Sequence, residues 1–94
     1  MKIIWTPQAQ QDRTAIWDYL IERDSVAALR IDQLFSDAVA KLADFPMLDH
    51  VGTVAGTREL TPHRNYRIVY EVAGDMVWIL VVIHTARQWP PLQD

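Results

Sequence analysis

The chain contains no cysteine. That one absence excludes disulfide staples, thiolate metal sites and a cysteine nucleophile. Glycine is scarce: Gly52, Gly56 and Gly74 are the only three, none forms part of a phosphate-cradling loop, and each reads as a turn. No apolar run approaches the length of a membrane span. The opening Met1-Lys2-Ile3-Ile4-Trp5-Thr6-Pro7 has too short an apolar stretch for a secretory signal and lacks a small-residue cleavage site, so a soluble, cytoplasmic protein is expected. Positive charge is not in excess either. Nine Lys plus Arg face twelve Asp plus Glu, a net charge of -3, which argues against direct, sequence-specific nucleic-acid binding by the chain alone. The histidines at 50, 63 and 84 show no metal-ligand spacing. The carboxylates Asp12, Asp18, Glu22, Asp32 and Asp37 fall at spacings typical of solvated helix faces. No metal or cofactor is expected.

What is present is a chain of 94 residues, half of them hydrophobic, enough for one domain spanning 1–94 and one core. Its charge is unevenly distributed. Residues 1–50 hold five basic and eight acidic side chains and so carry the whole excess, whereas residues 51–94 hold four arginines against four acids. A small positive patch in the second half is compatible with that balance.

Lys2 to Trp5 reads as a short strand, and Thr6-Pro7 as an N-cap and first helical position. From Gln8 to about Arg23, Ala9, Ile16, Trp17, Leu20 and Ile21 follow helical spacing. Asp24-Ser25 breaks this helix, with Ser25 as the expected cap of the next. In the second helix Ala28, Ile31, Leu34, Phe35, Ala38, Val39 and Leu42 form one apolar stripe, ended by Phe45-Pro46. Residues 46–56 read as a loop, and strands follow at about Arg58–Thr61, Tyr66–Val72 and Met76–Thr85. The expected order is βααβββ: an α+β domain whose N-terminal helical hairpin packs on one face of a mainly antiparallel sheet.

Gly74-Asp75 is a two-residue hairpin turn and predicts a register. If Ala73 pairs with Met76, then Tyr70 faces Ile79, Ile68 faces Val81 and Tyr66 faces Ile83, and this apolar set lies beneath the helices. The opposite face then carries Arg67 near His84, with Arg87 just past the strand end, as a shared cationic patch. A structural role competes with this, in which Arg67 pairs with Glu71 two residues along the same face. Trp5, Trp17 and Trp78 are expected as core or rim aromatics. Trp89, outside any periodic element, is expected as an interface anchor. Metal-free ribonuclease chemistry needs a base, an acid and cations for the phosphorane, which His84, His63, Arg67 and Arg87 could supply. The sequence permits that chemistry without pointing to it.

Gly56-Thr57-Arg58-Glu59-Leu60, Tyr66-Arg67-Ile68-Val69-Tyr70 and Ile83-His84-Thr85-Ala86-Arg87-Gln88-Trp89-Pro90 resemble the ParE branch of the RelE/ParE toxin superfamily. The opening Trp5-Thr6-Pro7-Gln8-Ala9 and the helix bearing Ile16, Tyr19 and Leu20 are similar to the start of those toxins. The resemblance covers nearly the whole chain. It implies the same fold, a bacterial toxin of a type II toxin–antitoxin pair, a cognate ParD-like antitoxin as partner, and growth inhibition. ParE-type members poison DNA gyrase, whereas RelE-type members cut mRNA on the ribosome. Arg67 and Arg87 match positions the ribonucleases share, and Arg58 stands where those often carry lysine. A second ribonuclease lysine would fall near Leu60, and Gln88-Trp89-Pro90-Pro91 replaces the stretch where a catalytic tyrosine is usual. The gyrase-directed branch is therefore favoured, with no catalytic residue and with Arg58, Arg67, His84, Arg87 and Trp89 as the target-binding surface. The alternatives are a metal-independent mRNA endonuclease using Arg67, His84 and Arg87, or an inactive toxin-like binding module.

Overall fold

Residues 1–91 are described by a computed structural model. Strand β1 (Lys2–Trp5) leads directly into α1 (Pro7–Arg23), and α2 (Ser25–Lys41) follows after one residue. Thr6 caps α1 by accepting from the Ala9 amide, with Pro7 at the first helical position. Asp24, rather than Ser25, caps α2, accepting from the Ala27 amide at 3.1 Å, while Ser25 is the first helical residue. The helix also stops earlier than Phe45-Pro46 requires, turning out through Leu42 to Phe45.

After α2 come β2 (His50–Val51), β3 (Arg58–His63), β4 (Tyr66–Ala73) and β5 (Met76–His84). The two-residue β2 lies inside the segment expected as loop. The sheet order is β1-β5-β4-β3-β2, with β1 parallel to β5 and the remaining pairs antiparallel. A parallel β1–β5 pair needs a crossover, and the helical hairpin lies within it. α1 lies over β5 and α2 over β3. The buried core between them comprises Ala9, Ile31, Phe35, Val39 and Leu42 from the helical side and Leu60, Tyr66, Ile68, Tyr70, Val77, Ile79 and Val82 from the sheet. Fully burying side chains such as Phe35, Leu42 or Ile68 contributes about 1.5–3 kcal/mol each. Arg13 on α1 ties the hairpin together. It donates to Asp32 Oδ1 at 2.7 Å and to Ser36 Oγ at 2.6 Å, and its guanidinium lies over the Trp5 ring.

The Gly74-Asp75 turn, with Gly74 at φ +62°, sets the predicted register at first: Ala73 with Met76, Val72 with Val77 and Tyr70 with Ile79. Then the register shifts. Val69 pairs with Val81, Ile68 with Val82, Arg67 with Ile83 and Tyr66 with His84, leaving Leu80 as the extra residue of a β-bulge. The cause lies outside the hairpin. β1 ends at Trp5 opposite Ile79, and the chain turns into α1. There the Thr6 hydroxyl donates to Ile79 O at 2.7 Å and to Leu80 O at 3.3 Å, and the Asp12 carboxylate accepts from the Val82 amide at 3.0 Å. Side chains of the first helical segment thus satisfy the edge of β5 where its partner strand stops.

Candidate functional site

The bulge reverses the faces of every residue beyond it. Val82 is buried in the core, while Val81 and Ile83 move to the opposite face. His84 comes to the helix side, its ring 5.5 Å from that of Tyr66. Arg67 stays on the face away from the helices. The expected shared patch of Arg67 and His84 is therefore not formed: the sheet stands between them.

Arg67 has a private partner, and it is Glu59 rather than Glu71. Its Nη1 lies 3.3 Å from Glu59 Oε1, with side chains 23% and 4% exposed. Glu59 also accepts from the Thr53 amide at 2.9 Å, fastening the 52–57 loop. Burial alone would raise the Glu59 pKa, but the Thr53 amide and the Arg67 guanidinium outweigh it and hold the carboxyl below its ordinary value. Arg58 is likewise engaged. It shares the helix-side face with Tyr70, and its Nη2 donates to the carbonyls of Met47 and Asp49.

His84 and Arg87 remain together. They border a cleft of about 520 Å³ between α1 and the end of β5, whose walls include Ile16, Tyr19, Leu20 and Val82. Both residues are exposed. Tyr66 sits between two histidines, with ring centres 6.0 Å from His63 and 5.5 Å from His84. Burial, and secondarily Tyr19, raise its pKa. Each histidine spends Nδ1 on its own turn: His63 accepts from the Asn65 amide at 3.1 Å and His84 from the Ala86 amide at 3.0 Å. With Nδ1 accepting, the other nitrogen of a neutral imidazole is a donor rather than a base. Trp89, expected as an interface anchor, is half-buried, with its indole N–H buried and unpartnered. Among the described residues no cluster of His, Asp or Glu could hold a metal ion.

One residue that sequence reasoning passed over belongs to this region: Asp12 read as a solvated helix carboxylate but accepts from the Val82 amide at the edge of β5. Tyr66 is buried on the core face, as expected, and its contact with His84 is what the sequence did not show. Neither contact carries a local sequence signal, because both involve the strand beyond the bulge.

A two-helix layer on a five-stranded mixed sheet, with a cleft at the end of the last strand, defines a class. The fold is that of the ParE/RelE-like toxins. It matches a solved structure titled "Chromosomal ParDE TA system from P. aeruginosa" with a TM-score of 0.79 and 26% identity, covering 89% of this chain and 95% of that one. It also matches a YoeB/ParE toxin from Agrobacterium tumefaciens, with a TM-score of 0.64, 18% identity and coverage of 89% and 98%. That second likeness bears on the fold alone.

Residues 3–89 match the family described as ParE toxin of type II toxin-antitoxin system, parDE, and the chain belongs to that family. It is 36% identical to a protein named Toxin RelE2 of Caulobacter vibrioides, over 92% of this chain and 97% of that one. It is also 36% identical to Putative toxin Y4kP of Sinorhizobium fredii, over 95% of this chain and 93% of that one.

Proposed function

We propose that this protein is a toxin that acts in the cytoplasm by binding DNA gyrase and is neutralised by a cognate antitoxin. The observation that carries the choice of binding over cutting is the dispersal of the groups a ribonuclease would need. Arg67 is paired with a buried carboxylate on one face of the sheet, while His84 and Arg87 lie at the other face. A general base must reach the proton it removes, and a phosphorane needs its cations on one side. The engaged Nδ1 of both histidines supports the same reading. What remains at the end of β5 is a binding geometry: a mainly apolar lining to which Arg87, His84, Asn65 and the already engaged Asp12 add polar groups. Such a cleft fits a flexible antitoxin segment that lays aliphatic side chains on Ile16, Leu20 and Val82 and sets a carboxylate against Arg87. Arg87 is also the charge-bearing part of the surface assigned to gyrase, with His84 beside it, so antitoxin and target would compete there.

The test is purified gyrase with purified toxin. The expected result is loss of supercoiling with accumulation of cleaved DNA, relieved by the antitoxin and weakened by Arg87→Ala. Unaffected gyrase, together with specific RNA cuts in a translating extract, would overturn the reading in favour of the endonuclease.

A further inference from the structure

The most exposed apolar cluster lies at the other end of the sheet from the cleft. Between the end of α2 and β2, Phe45, Met47, Leu48 and Val51 are 61%, 61%, 57% and 70% exposed. Four such side chains within seven residues leave on the order of 400 Å² of apolar surface along one loop, the range in which patches begin to mark interaction sites. A loop free to move would fold these side chains inward. This one is held from beneath: the buried Tyr70 hydroxyl donates to Pro46 O at 2.9 Å, and Arg58 donates to the Met47 and Asp49 carbonyls. The terminal amine donates to Ala43 O at 2.9 Å. Arg58 keeps this post although its Nε is buried without a partner. Buried donors are thus used to fix a loop that presents apolar groups outward, which lowers the ordering cost of a contact.

We infer that the segment Phe45–Val51 is a preorganised apolar anchor for the folded protein that the toxin attacks, separate from the cleft that takes the antitoxin. The inference rests on the toxin reading above and names a second part of its target contact. Three arguments identify the occupant. Permanent homodimers bury about 1,000 Å² or more per partner in largely apolar interfaces, so the patch does not by itself make a dimer with a second copy and fits one part of a larger contact. Asp44 and Asp49 flank it, His50 is the segment's own base, and the nearby Arg58 guanidinium and terminal amine are spent on the loop's carbonyls, which disfavours nucleic acid and fits an apolar pocket without acidic walls. Rigid, protruding side chains need a pocket, and a pocket belongs to a folded protein rather than to a flexible antitoxin segment.

The experiment compares Phe45→Ser/Leu48→Ser with Val26→Ser/Leu29→Ser, the latter removing similarly exposed apolar groups from α2 (68% and 62%). All four positions are exposed, and an unchanged Tm verifies the fold of each variant. The expected result is loss of growth arrest and roughly tenfold or more weaker gyrase binding for Phe45→Ser/Leu48→Ser, with antitoxin binding retained and the α2 variant behaving as wild type. Full arrest by Phe45→Ser/Leu48→Ser would overturn the inference, as would loss of antitoxin binding in its place or dissociation of a wild-type dimer with arrest unchanged. If the wild type arrests growth without binding gyrase, the gyrase assignment fails. The growth comparison then still decides the role of the loop, because it does not depend on which protein is the target.

Discussion

Glu59→Gln is the substitution through which the structure makes its most demanding statement. The Glu59 side chain is 4% exposed and its carboxylate serves two groups, Arg67 Nη1 at 3.3 Å and the Thr53 amide at 2.9 Å. Glutamine keeps the shape and an acceptor for Thr53 but removes the charge. Arg67 is then left with an uncompensated guanidinium whose Nε is already buried without a partner. Breaking a buried pair from one side costs about 3–5 kcal/mol, and partial access of water to Arg67 reduces this to about 2 kcal/mol. In a domain of this size that lowers Tm by about 8–16 °C in a calorimetric or circular-dichroism melt. Adding Arg67→Met should recover part of the loss, since it removes the uncompensated charge and leaves only the neutral glutamine amide unpaired. The pH dependence carries its own sign. The folded pKa of Glu59 lies below the ordinary 4.5, so its contribution is complete above that value and is lost as pH falls through the lowered folded pKa. Glu59→Gln should lack this part of the acid-side slope. An unchanged Tm, or a double variant no better than the single one, would refute the pairing and with it the assignment of Arg67 to the face away from the helices.

Three further outcomes follow from other contacts. Arg13→Ala removes the donor to Asp32 and Ser36 and the cation over Trp5, and should cost about 1–3 kcal/mol in urea unfolding. Asp12→Ala leaves the Val82 amide at the strand edge without its acceptor; a loss of about 1 kcal/mol and faster amide exchange at Val82 are expected. Gly52→Ala sets a methyl 2.3 Å from Thr57 Oγ1 in a loop that Glu59 fastens, and should destabilise by about 1–3 kcal/mol in the same assay.

The parts of the fold read correctly from sequence were those with local causes. Thr6-Pro7 marks the start of α1, the apolar stripe of α2 follows helical spacing, and Gly74-Asp75 sets the hairpin as far as Tyr70 and Ile79. The candidate site was less legible, for one physical reason. Leu80-Val81-Val82-Ile83 is uniformly apolar, so either face of it could be buried and nothing local marks the extra residue. The bulge accompanies contacts from Thr6 and Asp12, some seventy residues away in sequence. A one-residue shift then separated Arg67 from His84 and brought His84 to Tyr66. Arg58 was legible as a special arginine but not as the support of a loop, because its acceptors are backbone carbonyls that no sequence pattern reveals. Trp89 lies outside every periodic element, and its half-burial depends on tertiary packing alone.

The central claim is that this toxin stops cells by gripping gyrase rather than by cutting mRNA. Its most direct measurement is the order of events after induction, with DNA and protein synthesis followed by pulse labelling in the same culture. The account predicts that DNA synthesis fails first, with gyrase-linked DNA breaks, while translation continues. Prompt loss of translation with cleaved mRNA and continuing DNA synthesis would contradict it.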